Sequence, residues 1–344
     1  MSRVVTLFSG ADGWGVAARP LGMRPVGIEL DEFACATARA AGHLVVRQDV
    51  TTFSAARLRG GVRGLIASPP CTDFSTAGRR KGVDGESGRL IFEVPRIVTE
   101  CEPEWIACEQ VPAVLPFWRL FASEFAARGY SVWSGVLDAA DYGVPQNRLR
   151  AILLASRVRD VSPPRPTHAE NPHPVMFGET SLPWVSMAEA LGWEATLLTT
   201  GQESRLGGGR TERYSRGTER PSPTVTSGAG SGWHLNAHRD QREDGSTQTR
   251  TLDRPSPTVT GKAGGGQWFF ERPSTTVSTT DRIALPGHHE RQWNGAIKVT
   301  LEELAALQDF PPGYPFRGNK TQRAVQIGNA IPVGLAYACL GAVL

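Results

Sequence analysis

The chain has 344 residues, with 37 basic and 34 acidic side chains and a formal net charge of +3. Its apolar fraction of 40% and charged fraction of 21% argue against wholesale disorder, and a chain of this length is expected to form about two domains. No apolar run approaches the ~20 residues of a membrane span. Five cysteines without a CxxC pair argue against a disulfide framework and favour a reducing cytoplasm.

The first 155 residues alternate short apolar runs with amphipathic stretches. Two of the amphipathic stretches, 33–41 and 117–128, are predicted helices, and Gly129 is a plausible stop for the second. Strands that alternate with helices indicate a mostly parallel sheet covered on both faces. Seven apolar runs are predicted to be its buried strands: 4–8, 26–28, 44–46, 65–67, 105–108, 132–137 and 151–155.

After residue 155 the chain becomes rich in proline and glycine. An eight-residue motif recurs three times, as ERPSPTVT at 219–226, DRPSPTVT at 253–260 and ERPSTTVS at 271–278. The copies start 34 and then 18 residues apart, so they do not form a regular solenoid. We interpret the copies as turn-plus-strand units of a small β domain, with three equivalent ligand contacts as the alternative. Helices are predicted again at 301–307 and 331–344.

The first predicted strand leads into a glycine-rich turn, Phe8-Ser-Gly10-Ala-Asp12-Gly13. Glycines at such a turn let a ligand approach the backbone, and an acid about 20 residues later typically accepts from ribose hydroxyls. Glu29 stands 19 residues after Gly10, and Asp49 follows the third strand. The turn therefore favours a nucleoside-bearing cofactor over a purely structural role. No Walker lysine follows, which disfavours phosphate transfer.

Candidate chemical groups stand at the ends of the fourth and fifth strands. Cys71 follows Pro70 and precedes a basic loop, and nearby cations raise the thiolate fraction of a cysteine. The alternatives are an inert core cysteine and a solvated loop. Glu109 ends the fifth strand, where an acid points into the ligand crevice of an α/β sheet, with a helix cap as the alternative.

The seventh strand is predicted to place Gln146, Arg148 and Arg150 on one face. Arginines in a buried sheet need partners. Only four of the 37 basic residues are lysines, a bias that either a GC-rich genome or a functional preference for arginine would produce.

Together these blocks resemble the cytosine-C5 DNA methyltransferase family, of prokaryotic or phage type. The resemblance covers roughly residues 4–155 and 297–340, including the blocks at 301–311 and 326–332, whereas 160–290 matches only in position, as the family's target-recognition region. The chain departs from the family's usual pattern at Thr6, Asp12 and Gln110, where the family has an acid, a glycine and an asparagine.

The resemblance implies an α/β fold, namely a Rossmann-like S-adenosylmethionine-dependent methyltransferase sheet with a second, smaller β-rich target-recognition domain. Residues 1–157 plus 318–344 would form the catalytic and cofactor-binding domain, and 158–317 the DNA-binding domain. The implied enzyme is a DNA (cytosine-5-)-methyltransferase. An RNA cytosine-5 methyltransferase and a methyltransferase-like DNA-binding protein without turnover are the alternatives.

The resemblance also implies roles for particular residues. Cys71 would add to C6 of a flipped cytosine, Glu109 would hold or protonate N3, and Arg148, supported by Arg150, would brace the adduct. S-adenosylmethionine, which leaves as S-adenosylhomocysteine, would contact Phe8, Gly10, Asp12, Gly13, Glu29, Leu30, Asp49, Val50, Pro70, Asn329 and Ala330. DNA would contact Ser75, Arg79, Arg80, Lys81, Gln146, Arg205 and Arg210.

The expected partner is double-stranded DNA, with a cognate restriction endonuclease as a further partner that the family allows. We expect a cytoplasmic monomer that binds neither a membrane nor a metal. The histidines do not indicate a metal site, because no CxxC or HExxH pattern accompanies them. They are interpreted as loop or DNA-facing residues: His168, His173, His234, His238, His288 and His289.

Overall fold

The structure is a computed structural model. It describes residues 3–70, 85, 87–172, 180–192 and 300–344, and the short strands at 197–200, 204–205, 211–212, 215–217, 268–271 and 296–297. Seven strands of the first half form one mixed sheet in the order β3-β2-β1-β4-β5-β7-β6. They are β1 (Arg3–Leu7), β2 (Val26–Glu29), β3 (Leu44–Arg47), β4 (Val62–Ala67), β5 (Trp105–Gln110), β6 (Ser131–Asp138) and β7 (Leu149–Ser156).

The strands from β3 to β5 pair in parallel, whereas β7 is antiparallel to both β5 and β6. All seven apolar runs predicted as strands are strands of this sheet. The prediction that they are all buried is wrong for β3, where Leu44 is 57% and Val46 is 46% exposed, and for β6, where Val136 is 40% exposed. The reason is that β3 and β6 lie at the two edges of the sheet.

Helices cover both faces of the sheet because alternate strand residues point to opposite sides. On β1, Val5 and Leu7 join the cluster beneath α3 (Glu93–Cys101) and α4 (Leu115–Ala127), whereas Val4 joins the cluster with α1 and α8. The remaining helices are α1 (Gly13–Ala18), α2 (Glu32–Ala40), α5 (Met187–Leu191), α6 (Leu301–Leu307), α7 (Lys320–Asn329) and α8 (Val333–Val343).

The four predicted helices are confirmed as α2, α4, α6 and α8, within about two residues at their ends. Gly129 follows α4 with φ 85°, as expected for a helix stop. The helices α1, α3, α5 and α7 were not predicted from the sequence. Glycines make α1 look like a continued turn, Pro95 lies in the first turn of α3, and α7 is mostly polar.

Gly13 is a contact point between the two ends of the chain. A Cβ atom at this position would lie 2.8 Å from the backbone oxygen of Ile331, closer than packed atoms tolerate. We expect Gly13→Ala to lower the free energy of unfolding by about 1–3 kcal/mol, measured by urea denaturation. Gly341→Ala is the matched control: it meets open space on a helix, so a loss there as large as at Gly13 would contradict the explanation.

Short strands between residues 168 and 297 form smaller sheets. The largest is antiparallel, with the order β13-β10-β14-β15. Of the three repeats, 219–226 and 253–260 lie outside the described residues, and the third contributes only Glu271, at the end of β14. The strands are β8 (His168–Ala169), β9 (Leu182–Pro183), β10 (Leu197–Thr200), β11 (Ser204–Arg205), β12 (Thr211–Glu212), β13 (Ser215–Gly217), β14 (Trp268–Glu271) and β15 (Ala296–Ile297).

Residues 301–316 pack with the helices that follow them. Leu304 of α6 and Phe310 share a buried cluster with Ile327 of α7, and the Tyr314 hydroxyl donates to the backbone oxygen of Ala11. The predicted domain boundary between residues 317 and 318 therefore runs through an apolar cluster. The division into two domains stays a prediction.

One helical stretch, Lys320–Val343, is long and apolar enough to cross a membrane by length and composition alone. It consists of α7 and α8, which Pro332 separates, and 61% of its most apolar window is buried inside the protein. Leu335, Cys339 and Val343 lie in the cluster that α8 shares with α1. A buried core helix passes the same test, so this stretch is weak evidence for a membrane span.

Candidate active site

The predicted site residues that the structure describes gather at one edge of the sheet. The strands β1, β2, β4 and β5 run in the same direction, so their carboxyl ends open on a common crevice, the usual ligand site of such sheets. Each of these four strands leads into a predicted site residue.

The turn after β1 holds its backbone in the left-handed region at Phe8 (φ 55°), Gly10 (φ 55°) and Asp12 (φ 66°). This conformation is costly for residues other than glycine, and such residues persist only where neighbours hold them. Glu29, at the end of β2, supplies one restraint: its Oε2 accepts from the Gly10 backbone N–H at 2.8 Å. A Cβ at Gly10 would meet nothing within 4 Å, so the turn is open to a ligand there.

Asp12 faces the interior instead of the crevice. It is 1% exposed, its Oδ1 accepts from the Gly15 backbone N–H at 3.1 Å, and its Oδ2 lies 2.8 Å from Nδ1 of the buried His43. The predicted contact between the Asp12 carboxylate and the cofactor does not agree with this placement, because the carboxylate caps α1. His43 was not predicted as part of the site, because no motif in the sequence pairs it with Asp12.

A carboxylate, Glu29, ends β2, and another, Asp49, follows the end of β3 by two residues. Glu29 Oε1 accepts from the backbone N–H groups of Leu30 and Asp31, each at 2.8 Å. Asp49 accepts at Oδ1 from the backbone N–H and the hydroxyl of Thr51. Leu30 is 58% exposed beside them, whereas the Val50 side chain is buried.

Glu109 is the charged centre of the site. It is 5% exposed at the end of β5, and its two oxygens have different donors. Arg150 Nε lies 2.9 Å from Oε1, and the Ser68 hydroxyl donates to Oε2 at 2.8 Å. Ser68 in turn accepts from the Trp14 indole N–H at 2.9 Å. Glu109 and Arg150 were predicted from the sequence, whereas Ser68 and Trp14 were not, because neither residue is part of a motif that indicates its role.

Arg148 connects the site to the end of the chain. Its Nη2 donates to the backbone oxygens of Gly328 at 2.8 Å and Ala330 at 3.1 Å, on either side of Asn329, which is exposed. Its own backbone N–H donates to Asp138 Oδ1 at 2.8 Å, and burial raises the pKa of Asp138 to about 6. Arg148 therefore holds the predicted cofactor residues at the end of α7.

Two expectations about residues 146–150 are wrong, namely that all of them form part of the seventh strand and that Gln146 contacts DNA. Gln146 and Arg148 precede β7, which begins at Leu149, so only Arg150 lies in the strand. Gln146 is fully buried and its Nε2 donates to the backbone oxygen of Leu307 at 2.9 Å. A direct contact between Gln146 and DNA is incompatible with this position.

The segment that carries the predicted nucleophile begins at the limit of the described chain. Pro70 is described, and the preceding Pro69 accepts through its backbone oxygen from the Gln110 side chain. The departure at position 110 therefore keeps an amide that anchors the Pro-Pro turn. The predicted site residues Cys71, Ser75, Arg79, Arg80, Lys81 and Arg210 lie outside the described residues, as does the side chain of Arg205.

Within the described part of the chain, no group of three or more His, Cys, Asp or Glu residues could hold a metal ion. The site instead combines a turn with exposed backbone, carboxylates at neighbouring strand ends and a buried Glu–Arg pair. This arrangement, on a seven-stranded sheet with one reversed strand, defines an α/β methyltransferase fold.

Comparison with known proteins gives the family. The family described as C-5 cytosine-specific DNA methylase matches residues 2–344. The type II methyltransferase M1.HphI of Haemophilus parahaemolyticus is 28% identical over 99% of this chain and 86% of its own. M.NgoFVII of Neisseria gonorrhoeae is 26% identical over 96% and 83%. The chain therefore belongs to the C-5 cytosine-specific DNA methylase family, and it is a DNA (cytosine-5)-methyltransferase.

Solved structures support the fold. A DNMT2 variant of Spodoptera frugiperda superposes with a TM-score of 0.62 at 15% identity, covering 99% of each chain. The methyltransferase EhMeth of Entamoeba histolytica gives a TM-score of 0.58 at 13% identity, covering 99% of this chain and 97% of its own.

Proposed function

We propose that the enzyme methylates a cytosine flipped out of duplex DNA, through a covalent adduct with Cys71 and with S-adenosylmethionine as methyl donor. The observation that carries this proposal is the buried Glu109, which Ser68 and Arg150 hold from two sides, while the neighbouring Gln110 donates to the backbone oxygen of Pro69. A carboxyl group held in one orientation is suited to a hydrogen bond or proton transfer at a single ring atom, here N3 of cytosine.

The described residues fit the cofactor. Glu29 has about four acceptor positions and backbone N–H groups fill three of them, which leaves one for a ribose hydroxyl. Asp49 Oδ2 accepts no hydrogen bond from the described residues, so it can receive the adenine amino group. Leu30 offers apolar surface between them, and the open Gly10 turn can receive the amino-acid part. When bound, S-adenosylmethionine supplies an electrophilic methyl group on sulfur.

The residues of the chain then prepare the base. Cytosine C5 is a weak nucleophile, so the Cys71 thiolate first bonds to C6, and the displaced electron pair makes C5 enamine-like. Glu109 holds or supplies the proton at N3 as charge develops on the ring. After C5 has accepted the methyl group, its proton leaves to a bound water or hydroxide. The C5–C6 double bond then forms again and expels the Cys71 thiolate.

Base flipping is required because C5 and C6 of a stacked, paired cytosine are out of reach of the protein. The residues proposed to contact DNA are Arg79, Arg80, Lys81, Arg205 and Arg210, since arginine suits both phosphate and guanine. We further propose that the enzyme is a cytoplasmic monomer. A restriction endonuclease of the same specificity is the proposed partner, because this chain is similar to type II methyltransferases.

Covalent trapping tests the proposed mechanism. A duplex that carries 5-fluorocytosine at the target base lacks the proton that leaves in the last step, so we expect a stable protein–DNA adduct through Cys71. The measurement is a mass shift of the peptide that contains Cys71, with S-adenosylmethionine present. An enzyme that methylates ordinary duplex DNA yet forms no adduct would contradict the covalent route. An equal adduct with matched RNA would favour an RNA substrate.

A further inference from the structure

A line of hydrogen bonds reaches Glu109 from the helix that follows the cofactor turn. The Trp14 indole N–H donates to Ser68 Oγ at 2.9 Å, and Ser68 Oγ donates to Glu109 Oε2 at 2.8 Å. Trp14 is 2% and Glu109 is 5% exposed, so water is largely kept away from both ends of the line. Three strand and helix elements thus meet at one hydroxyl group.

The direction of these bonds follows from the chemistry of the groups. An indole N–H can only donate, so Ser68 must use a lone pair to accept it. The single hydroxyl hydrogen of Ser68 is then directed at Glu109 Oε2. Because Arg150 occupies Oε1 from the other side, the carboxyl group can rotate only by losing one of these partners.

Trp14 is itself fixed by packing. Its indole lies in the buried cluster that contains Ile66 and Leu335, and the neighbouring Gly13 lies directly against the Ile331 backbone oxygen. The Trp14 indole therefore has little freedom to move, and its hydrogen bond restrains the Ser68 hydroxyl. The α1 helix that carries Trp14 begins right after the turn proposed to bind the cofactor.

We propose that Trp14 and Ser68 are positioning residues that hold Glu109 in its catalytic orientation and link it to the cofactor side of the site. This inference rests on the proposed function, in which Glu109 acts at N3. Neither residue touches the substrate in this proposal. Their loss slows the step that Glu109 assists and leaves cofactor binding in place.

Ser68→Ala tests the proposal. We expect kcat and the rate of adduct formation with 5-fluorocytosine DNA to fall roughly 10- to 100-fold, while the Kd for S-adenosylmethionine and the KM for DNA stay within about twofold. In a Glu109→Asp background, Ser68→Ala should lower kcat by less than about twofold. The reason is that aspartate withdraws the carboxylate by one methylene from Ser68 and already breaks the bond.

Matched variants separate positioning from a structural role. Trp14→Phe keeps a ring but removes the N–H, and should lower kcat by about threefold to tenfold. Trp118→Phe is its control, since Trp118 is equally buried and its indole N–H donates to the Ala151 backbone oxygen; we expect its kcat to stay within about twofold below its unfolding temperature. Ser54→Ala, which removes a serine-to-Glu100 hydrogen bond, is the control for Ser68→Ala.

Several results would overturn the proposal. The first is a kcat for Ser68→Ala within about twofold of that of the unmodified enzyme. The second is a loss of kcat on Ser68→Ala that is as large in the Glu109→Asp background as in the unmodified enzyme. The third is an equal loss of kcat for Trp14→Phe and Trp118→Phe. If Ser68→Ala does not fold, the two tryptophan variants decide. An unmodified enzyme that forms no adduct would instead contradict the proposed function, so the two failures are distinguishable.

Discussion

Cys71→Ala is expected to abolish methyl transfer to duplex DNA, with a loss of about 10⁴-fold or more in kcat. The physical reason is that cytosine C5 attacks the methyl donor only after a nucleophile has added to C6. Alanine removes the sulfur and changes little else. Transfer of labelled methyl groups to duplex DNA measures the effect.

Cofactor binding provides the control for this variant. The carboxylates proposed to hold S-adenosylmethionine, Glu29 and Asp49, are not altered by the Cys71 substitution, so the Kd of the cofactor should stay within about threefold. Cys101→Ala is the control substitution, of a buried cysteine on α3 outside the proposed chemistry, and should leave kcat within about twofold. Substantial methylation by Cys71→Ala would contradict the covalent mechanism.

Glu109→Gln is expected to lower kcat by about 10²- to 10⁴-fold, the usual range for losing a general acid or base. Glutamine has nearly the shape of glutamate but cannot supply a proton to N3. The rate of adduct formation with 5-fluorocytosine DNA should fall together with kcat, because the proposed role of Glu109 begins with the attack on C6. Single-turnover kinetics measure both rates.

Glutamine also leaves the buried Arg150 without its anionic partner, which can cost stability. Glu109→Asp keeps the charge and serves as the second variant, with the thermal unfolding midpoint measured for both. The matched control is Glu104→Gln, because Glu104 pairs with Arg63 on the surface and should not affect kcat. Glu109 variants that fold and keep normal rates would contradict the assigned role.

The sheet was predictable because its strands are short, apolar and separated by turns. All seven runs are strands, and the residues at their carboxyl ends lie together as the parallel arrangement requires. The direction of β7 was not predictable in the same way. Periodicity indicates which residues form a strand, but pairing partners and direction depend on contacts distant in sequence.

The site was predictable where a residue carries chemistry and follows a strand, as Glu109 does. Residues whose role depends on a tertiary partner were missed or misplaced. Trp14 and His43 look like ordinary core residues until the fold places them beside Ser68 and Asp12. The DNA contact of Gln146 was predicted from the family resemblance alone, whereas the fold buries its amide against the backbone oxygen of Leu307.

The two ends of the chain complete one another, and this has a consequence for how the enzyme is made. Residues that contact the last 45 positions include Ala11, Gly13, Thr37, Gln146 and Arg148. Once residue 155 has been added, the ribosome must still add residues 156–344 before α8 exists, which takes roughly 10 to 40 s. Throughout that time the sheet face that α1 and α8 share lacks α8, so part of its apolar surface is uncovered. Newly made chains are therefore inactive and prone to aggregate through this apolar surface until α8 has been synthesised. The risk of aggregation during expression is greatest in this interval.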